Sequence, residues 1–178
     1  LKILGNFSVN EHQYPNDSNE EIRVEKVREF SEKQEINQTK LMMGLRTNVS
    51  TISPDYIASM VFNTMFGGMF ISDLTRVVRE ENSLAYYIAS QIINEVKLLI
   101  ISAGIDQDKY QMTTDLVIKE LENYKEGRID SDLLKIAQDY LHNQLIEIED
   151  SAFALSSFEI RNYLHNLSFT IPKMMEAV

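Results

Sequence analysis

The sequence contains no cysteine, which excludes disulfide bonds and thiolate metal sites. This composition favours a reducing compartment, so we expect a cytoplasmic protein. Basic residues are also scarce, with 17 Lys and Arg against 27 Asp and Glu and a formal net charge of −10. A protein that binds a phosphate backbone needs a basic face to release counterions. We therefore predict no nucleic-acid partner, whereas a cationic peptide would be an easier ligand.

Long apolar runs are missing as well. The longest purely aliphatic run covers residues 98–101, far short of the roughly 20 residues that cross a bilayer, so no membrane span is expected. The apolar content of 44% over 178 residues is nevertheless enough for one ordinary core. Because the first residue is Leu, we interpret the chain as a fragment of a longer protein.

The common catalytic motifs are absent too. None of His12, His142 and His165 belongs to an H-E-x-x-H or H-x-x-E-H pattern. Asp139 and His142 are three residues apart and would offer an ion two ligands, fewer than the three or more that protein zinc sites use. The Gly pair at 67–68 has no G-x-G-x-x-G spacing, and no nucleophile elbow G-x-S-x-G occurs. We predict no metal ligand and no catalytic residue in this fragment.

What the sequence does contain is organised around residues 62–90. Residues 53–55 (Ser-Pro-Asp) predict the start of a helix, and the Gly pair at 67–68 predicts its end. A second helix begins near Ser72 and ends at the polar break of Asn82 and Ser83, before a strand near Tyr86. Helical spacing predicts that one face of this second helix is packed, through Leu74, Val77 and Val78.

The rest of the chain predicts an α+β fold. Alternation indicates a strand over residues 39–48, and β-branched residues indicate two strands within 85–104 that turn near Asn94, the second of them central to the sheet. A short strand is predicted over residues 1–9, a linker over 31–38, and helices over 20–30, 106–126, 131–149 and 152–164. This order implies a mainly antiparallel sheet with helices packed on one face.

Arg79 and Tyr86 are the candidate binding residues. A guanidinium is a permanent fork of donors and a phenol is a weakly acidic donor, so together they would hold a peptide carbonyl and stabilise charge on it. The commoner arrangement for such a local pattern is different. In that alternative Arg79 pairs with a surface acid such as Glu80 or Glu81, and Tyr86 fills the interface between sheet and helix.

The same stretch resembles the second-half signature of the pitrilysin/insulinase-type zinc peptidases, the inverzincins. That signature reads N-x-x-x-G-G, then Ser-Arg-Leu, then Arg-Glu-Lys leading to Gly-Leu-Ala-Tyr. Its counterparts here are Asn63 with the Gly pair, then residues 72–74, 79–81 and 83–86. Residues 1–30 are similar to the strand, Gly and helix that close the first half of such proteins, and residues 129–149 to the long helix after the sheet.

The resemblance implies a two-halved clamshell that closes on an extended peptide. It assigns residues 1–35 to the tail of the preceding half and a linker, and residues 36–178 to a C-terminal substrate-binding α+β domain. The zinc ligands and the glutamate base would lie in the missing N-terminal half, on H-x-x-E-H and a later Glu. By motif position, Arg79 and Tyr86 would contact the substrate, and a homodimer or a paralogous subunit are further partners that the resemblance leaves open.

Departures from the signature keep two alternatives open. Asp73 stands where Arg is usual, Glu81 where Lys is common, and Ser83 where Gly is frequent, so positive charge is lost around the expected cleft. The sequence at residues 66–68 and 83–87 is also similar to a bacterial branch of the family that includes catalytically silent members. The alternative function is therefore a non-catalytic peptide-binding or scaffold paralogue beside an active zinc peptidase. A free-standing regulatory domain would instead have Arg79 and Tyr86 pointing apart.

Overall fold

A computed structural model describes residues 21, 23–35 and 38–178 of the chain. Its sheet has three antiparallel strands in the order β1-β3-β2, namely β1 (Thr39–Arg46), β2 (Ala85–Ile93) and β3 (Leu98–Ile105). The central position of β3 confirms the prediction from its apolar faces. The described residues also form the helices α1 (Tyr56–Asn63), α2 (Tyr110–Lys125), α3 (Ser131–Asp150), α4 (Ala152–Leu164) and α5 (Ile171–Ala177).

Several shorter turns join these elements. Residues Thr64–Gly68 continue α1 as a π-helix, and a second π-helix covers Thr75–Glu81. Turns of 3₁₀-helix at Asn94–Val96 and Gln107–Lys109 join β2 to β3 and β3 to α2. The predicted sequence of helix, Gly corner, helix and strand is therefore present, although the wide π turns were not foreseen.

Helices cover one face of the sheet, which confirms the α+β prediction. The packed face of β3 presents Leu99, Ile101, Ala103 and Ile105, all nearly or fully buried. Opposite them lie Phe66, Leu74, Val78 and Val117 from the covering helices, each without exposed surface. The other face of the sheet is open at its edges, as the 74% exposure of Met42 indicates.

Gly67 determines how closely the first covering helix approaches β2. A Cβ placed on this residue would lie 2.7 Å from the Ser90 hydroxyl and 2.8 Å from the Ser90 amide nitrogen. Only glycine fits at these distances. The Ser90 hydroxyl also donates to Asn63 Oδ1 over 2.9 Å. This hydrogen bond joins β2 to the end of α1, close to the Gly pair.

The C-terminal helices form a second small core. Asp130 begins α3, as predicted, by accepting hydrogen bonds from the amides of Asp132 and Leu133. The core combines buried side chains of α1, α3, α4 and α5 with the neighbouring Phe169; its buried members are Tyr56, Leu145, Phe158, Ile171 and Met174. Helix α5 was not predicted, although Thr170 accepts from the Lys173 amide as its cap and Pro172 stands in its first turn.

One predicted helix is wrong. Among the described residues between 21 and 30 the chain forms no helix, and Val24, Val27 and Phe30 are 62%, 85% and 92% exposed. An isolated helix is marginal in water unless its apolar face is packed, and no part of the described chain covers these side chains. The strand predicted over residues 1–9 lies outside the described residues. No helix in the described part of the chain is long and apolar enough to cross a bilayer.

Candidate functional site

The candidate site lies where the second π-helix meets β2. Asn82 ends the helix by donating its side-chain amide to the Val77 carbonyl over 2.7 Å. Ser83 then takes a left-handed conformation, with φ of 52°, and the Leu84 amide returns to the Val78 carbonyl over 2.9 Å. This reversal explains why a glycine is frequent at the Ser83 position of the signature, since glycine adopts positive φ without steric cost.

The Arg79 side chain is exposed on this helix. Its guanidinium carbon lies 5.5 Å from the centre of the Phe70 ring, in a cation–π contact. Among the described residues Arg79 has no carboxylate partner, although Glu80 and Glu81 follow it directly. The alternative that paired Arg79 with a neighbouring acid is therefore wrong for this part of the chain.

Tyr86 is the extra residue of a β-bulge. Ala85 pairs with Ile105 and Tyr87 with Gly104, so Tyr86 has no partner of its own on β3. Bulges re-aim side chains and are over-represented beside active sites. The ring is 61% exposed, which means that the alternative placing Tyr86 inside the sheet–helix interface is also wrong.

The Tyr86 phenol belongs to a surface network that the sequence prediction missed. Its hydroxyl donates to Asp106 Oδ1 over 2.9 Å, and Lys109 Nζ lies 3.0 Å from the other Asp106 oxygen. Lys109 also donates to the Ser83 carbonyl over 3.1 Å, which closes the network on the junction. Strand pairing would have indicated that Asp106 lies near Tyr86, because Asp106 directly follows β3 and the end of β3 lies beside the start of β2.

This network shifts the pKa of each titrating member. The hydrogen bond to Asp106 raises the pKa of Tyr86, and the hydrogen bonds from Lys109 and Tyr86 lower the pKa of Asp106. The pKa of Lys109 is raised in turn, chiefly by its bond to Asp106. At neutral pH the phenol is therefore a protonated donor beside a carboxylate.

Arg79 and Tyr86 thus share one junction but contact different partners. Arg79 lies against Phe70 and Tyr86 is bonded to Asp106, and within the described residues no hydrogen bond joins the two side chains. Phe70 and Ile71 are 72% and 64% exposed. The junction therefore presents a cation, a phenol and apolar side chains to solvent.

Arg76 pairs with both of the acids that depart from the signature, Asp73 and Glu81. Arg76 lies 2.8 Å from both the Asp73 and the Glu81 carboxylates. The Tyr124 hydroxyl donates to the second Asp73 oxygen over 2.6 Å, and Asp73 is only 8% exposed. Burial and the bond to Asp73 raise the pKa of Tyr124. Asp73 is thus a structural acid beneath the helix and does not change the charge of an open cleft.

The described residues offer no place for a zinc ion. No group of three or more His, Cys, Asp or Glu side chains among them is arranged to hold a metal. His142 Nε2 donates to the Met175 carbonyl over 2.8 Å and so cannot ligate a metal with that nitrogen. His12 lies outside the described residues. The side chains that the structure describes do not fit the zinc chemistry of the resembled peptidases, and no metal-assisted step is assigned to them.

Solved structures share this fold. A conserved protein from Enterococcus faecalis V583 matches with a TM-score of 0.70 at 31% identity, over 79% of this chain and 36% of that one. A peptidase M16 inactive domain from Pseudomonas fluorescens gives 0.69 at 21% identity, over 79% and 34%. A protease from Helicobacter pylori gives 0.69 at 14% identity, over 82% and 38%. The last two likenesses concern the fold alone.

Comparison of sequences agrees with the fold. The chain is 33% identical over 131 residues to the probable inactive metalloprotease YmfF of Bacillus subtilis (strain 168), a match that covers 74% of this chain but 31% of that protein. The chain therefore spans about a third of the length of these relatives. Residues 2–141 match the peptidase M16 inactive domain. The chain belongs to this family, as a zinc-less C-terminal half of the pitrilysin/insulinase-type metallopeptidases.

Proposed function

We propose that this domain binds an extended peptide and closes the cleft over it, while a separate N-terminal half carries any catalytic zinc. Arg79 and Tyr86 are its substrate-binding residues. The observation that carries the proposal is the exposed guanidinium of Arg79, which has no carboxylate partner among the described residues despite two adjacent glutamates. In a chain of net charge −10, an unpaired cation at a strand junction is available for a ligand.

The chemistry of the junction suits a peptide backbone. Arg79 offers a rigid fork of donors for a carbonyl or a carboxylate. Tyr86 has a raised pKa and so remains a donor well above neutral pH. Donation to a peptide carbonyl would require the hydroxyl to turn away from Asp106, whereas a hydroxyl that still donates to Asp106 is able to accept from a peptide N–H. The exposed Phe70 and Ile71 beside them provide apolar contact for a peptide side chain.

The sheet supplies a wall beside these groups. β2 pairs only with β3 among the described strands, so its other edge retains backbone donors and acceptors that an extended peptide is able to use. The face opposite the helices carries Met42 and Tyr87, which are 74% and 42% exposed. We infer that this face borders the cleft beside the junction.

The proposal includes a division of the chain. Residues 1–35 would be the tail of the preceding half with a linker, and residues 36–178 the substrate-binding domain. The N-terminal half is the expected partner, and a homodimer or a paralogous subunit would supply the same complementary wall.

A second function, a non-catalytic peptide-binding or scaffold protein beside an active zinc peptidase, is favoured by one specific observation. The relative with 33% identity is described as a probable inactive metalloprotease. Both functions use the same junction and differ in whether the other half holds zinc. The H-x-x-E-H motif, present or absent upstream, separates them directly.

The test uses the intact protein that contains this chain. Binding of an unstructured cationic peptide is measured by fluorescence anisotropy, and its zinc-dependent cleavage by mass spectrometry. Arg79→Ala should weaken peptide binding at least about tenfold, because a charge-assisted hydrogen bond is lost, and Tyr86→Phe by a smaller factor. Arg128→Ala is the matched control, since this cation lies in an exposed pair with Glu126 beyond α2.

The outcomes separate the two functions. Cleavage that depends on zinc and falls in both variants supports the peptidase half. Peptide binding without cleavage that still depends on Arg79 supports the scaffold. Peptide affinity that is equal in wild type, Arg79→Ala and Tyr86→Phe would overturn the assigned roles.

A further inference from the structure

A polar pocket lies away from the Arg79–Tyr86 junction. It has a volume of about 240 Å³ and is lined by parts of α1, α3 and α4 and by the turn after β2. Ile92 borders the pocket six residues along β2 from Tyr86, a separation of about 20 Å at roughly 3.3 Å per residue. The pocket is therefore distinct from the proposed peptide site.

Two opposite charges line this pocket without pairing with each other. Arg161 stands in the last turn of α4, with its guanidinium carbon 6.0 Å from the centre of the Phe158 ring, and it forms no ion pair with a described residue. Glu95 lies in the turn after β2 and likewise has no cationic partner among the described residues. Opposite charges that share a pocket without contact leave room between them for a ligand.

A largely buried tyrosine, Tyr56, also lines this pocket. Tyr56 is only 6% exposed and stacks on Phe169 with ring centres 5.6 Å apart. Burial raises the pKa of Tyr56, while Arg161 lowers it and Glu95 raises it, so both charges act on this phenol.

The remaining lining is rich in amides. Asn63, Asn94 and Gln144 border the pocket. Asn94 is 7% exposed and is fixed by donating to the Val49 carbonyl and to the Ser59 hydroxyl, each over 3.2 Å. Gln144 donates to the Tyr140 hydroxyl over 3.0 Å, which leaves its carbonyl oxygen as an acceptor. These amides suit a polar, uncharged part of a small ligand.

We propose that this pocket binds a free amino acid with a polar, neutral side chain. Arg161 and the Tyr56 hydroxyl hold its carboxylate, Glu95 receives its ammonium group, and the amides contact its side chain. A simple anion would be repelled by Glu95 and a simple cation by Arg161, whereas a zwitterion satisfies both charges. The volume of about 240 Å³ suits a ligand of the size of a single amino acid.

The test is calorimetric titration of the intact protein with L-glutamine, supported by its melting temperature. We expect saturable binding and a melting temperature that rises with ligand concentration. Acetate, which carries only the carboxylate, and D-glutamine should bind at least about tenfold more weakly. Arg161→Leu and Glu95→Gln should each weaken L-glutamine binding by about tenfold or more, and Tyr56→Phe by a smaller factor, because it keeps the ring stacking and removes only the hydroxyl.

Matched variants keep the result interpretable. Arg128→Leu should bind L-glutamine like the wild type, because this cation pairs with Glu126 and does not line the pocket. If Arg161→Leu is unfolded, Glu95→Gln decides, because Glu95 is an exposed turn residue. Absence of binding at about 10 mM L-glutamine, ten times a millimolar dissociation constant, would overturn the proposal. Equal affinity for acetate would overturn it as well, since it would indicate an adventitious ion only.

Discussion

The Tyr86 hydroxyl donates to Asp106 Oδ1 over 2.9 Å and so joins the bulge of β2 to the residue that follows β3. Replacing Asp106 with Asn should lower the pKa of Tyr86 toward its ordinary value of 10.0, because the carboxylate is the largest cause of the upward shift. The measurement is the tyrosinate absorbance during alkaline titration. Tyr86→Phe, titrated alongside, identifies the contribution of this one phenol.

The same hydrogen bond has a defined pH window. The pKa of Asp106 is lowered from 3.8, so its contribution to stability is complete above that value and is lost as the pH falls through the folded pKa. The pKa of Tyr86 is raised from 10.0, so its contribution is complete below that value and is lost as the pH rises through the folded pKa. The difference in unfolding free energy between wild type and Tyr86→Phe should therefore be constant between these limits and shrink beyond either. A difference that varies near neutral pH would contradict this.

Gly67→Ala should destabilise the fold. The new Cβ would meet the Ser90 amide nitrogen at 2.8 Å, so the helix must move away from β2 at a cost of about 1–3 kcal/mol. Gly44→Ala is the matched control, because its Cβ would lie 3.6 Å from a Leu98 methyl group in ordinary contact. Urea denaturation of both variants compares the costs, and equal midpoints would rule out the close approach.

Ser83→Gly should stabilise the protein. Ser83 has a φ of 52°, which costs an L-residue about 1–2 kcal/mol, and the extra chain entropy of glycine removes only about 0.5–1 kcal/mol of that gain. We expect a net increase of about 0.5–1 kcal/mol in the free energy of unfolding. Ser83→Ala retains a Cβ and should give no increase, so a gain of equal size in both variants would assign the effect to the lost hydroxyl.

Tyr124→Phe should be costly although it removes one atom. The Tyr124 hydroxyl donates to Asp73 over 2.6 Å, and a hydrogen bond to a charged group contributes about 1.5–3 kcal/mol. Tyr140→Phe, which loses only an exposed bond from Gln144, should change the free energy of unfolding by less than about 0.5 kcal/mol. Thermal unfolding monitored by circular dichroism provides both values, and a negligible cost at Tyr124 would refute the buried role of Asp73.

Local patterns predicted most of the fold because packing and pattern agree here. Alternation at Leu41, Met43 and Leu45 does face the core, and the apolar stripe of Leu74, Val77 and Val78 is buried as its spacing indicates. The prediction of a helix over residues 20–30 was wrong for the opposite reason. Val24, Val27 and Phe30 have helical spacing, but no described surface covers them. Periodicity therefore reports what a segment is able to bury, while a partner surface decides whether it does.

The candidate site was only partly predictable. The signature located Arg79 and Tyr86, and their roles in binding stay predictions. It gave no sign of the bulge at Tyr86, because a register shift depends on how β2 pairs with β3. The partnership with Asp106 depends on that pairing and was equally hidden. Membership of the peptidase M16 inactive-domain family also makes the regulatory-domain interpretation wrong.

The apolar interior of the described residues separates into distinct clusters, which affects how the molecule opens. The sheet cluster is centred on β3, whereas the cluster of Leu145, Phe158 and Ile171 holds the C-terminal helices to α1. Amides of β3 should exchange with deuterium only through global unfolding, and those of α4 and α5 through a smaller, cheaper fluctuation. The junction that carries Arg79 and Tyr86 would then stay folded while the region around Tyr56 and Arg161 unfolds locally and refolds.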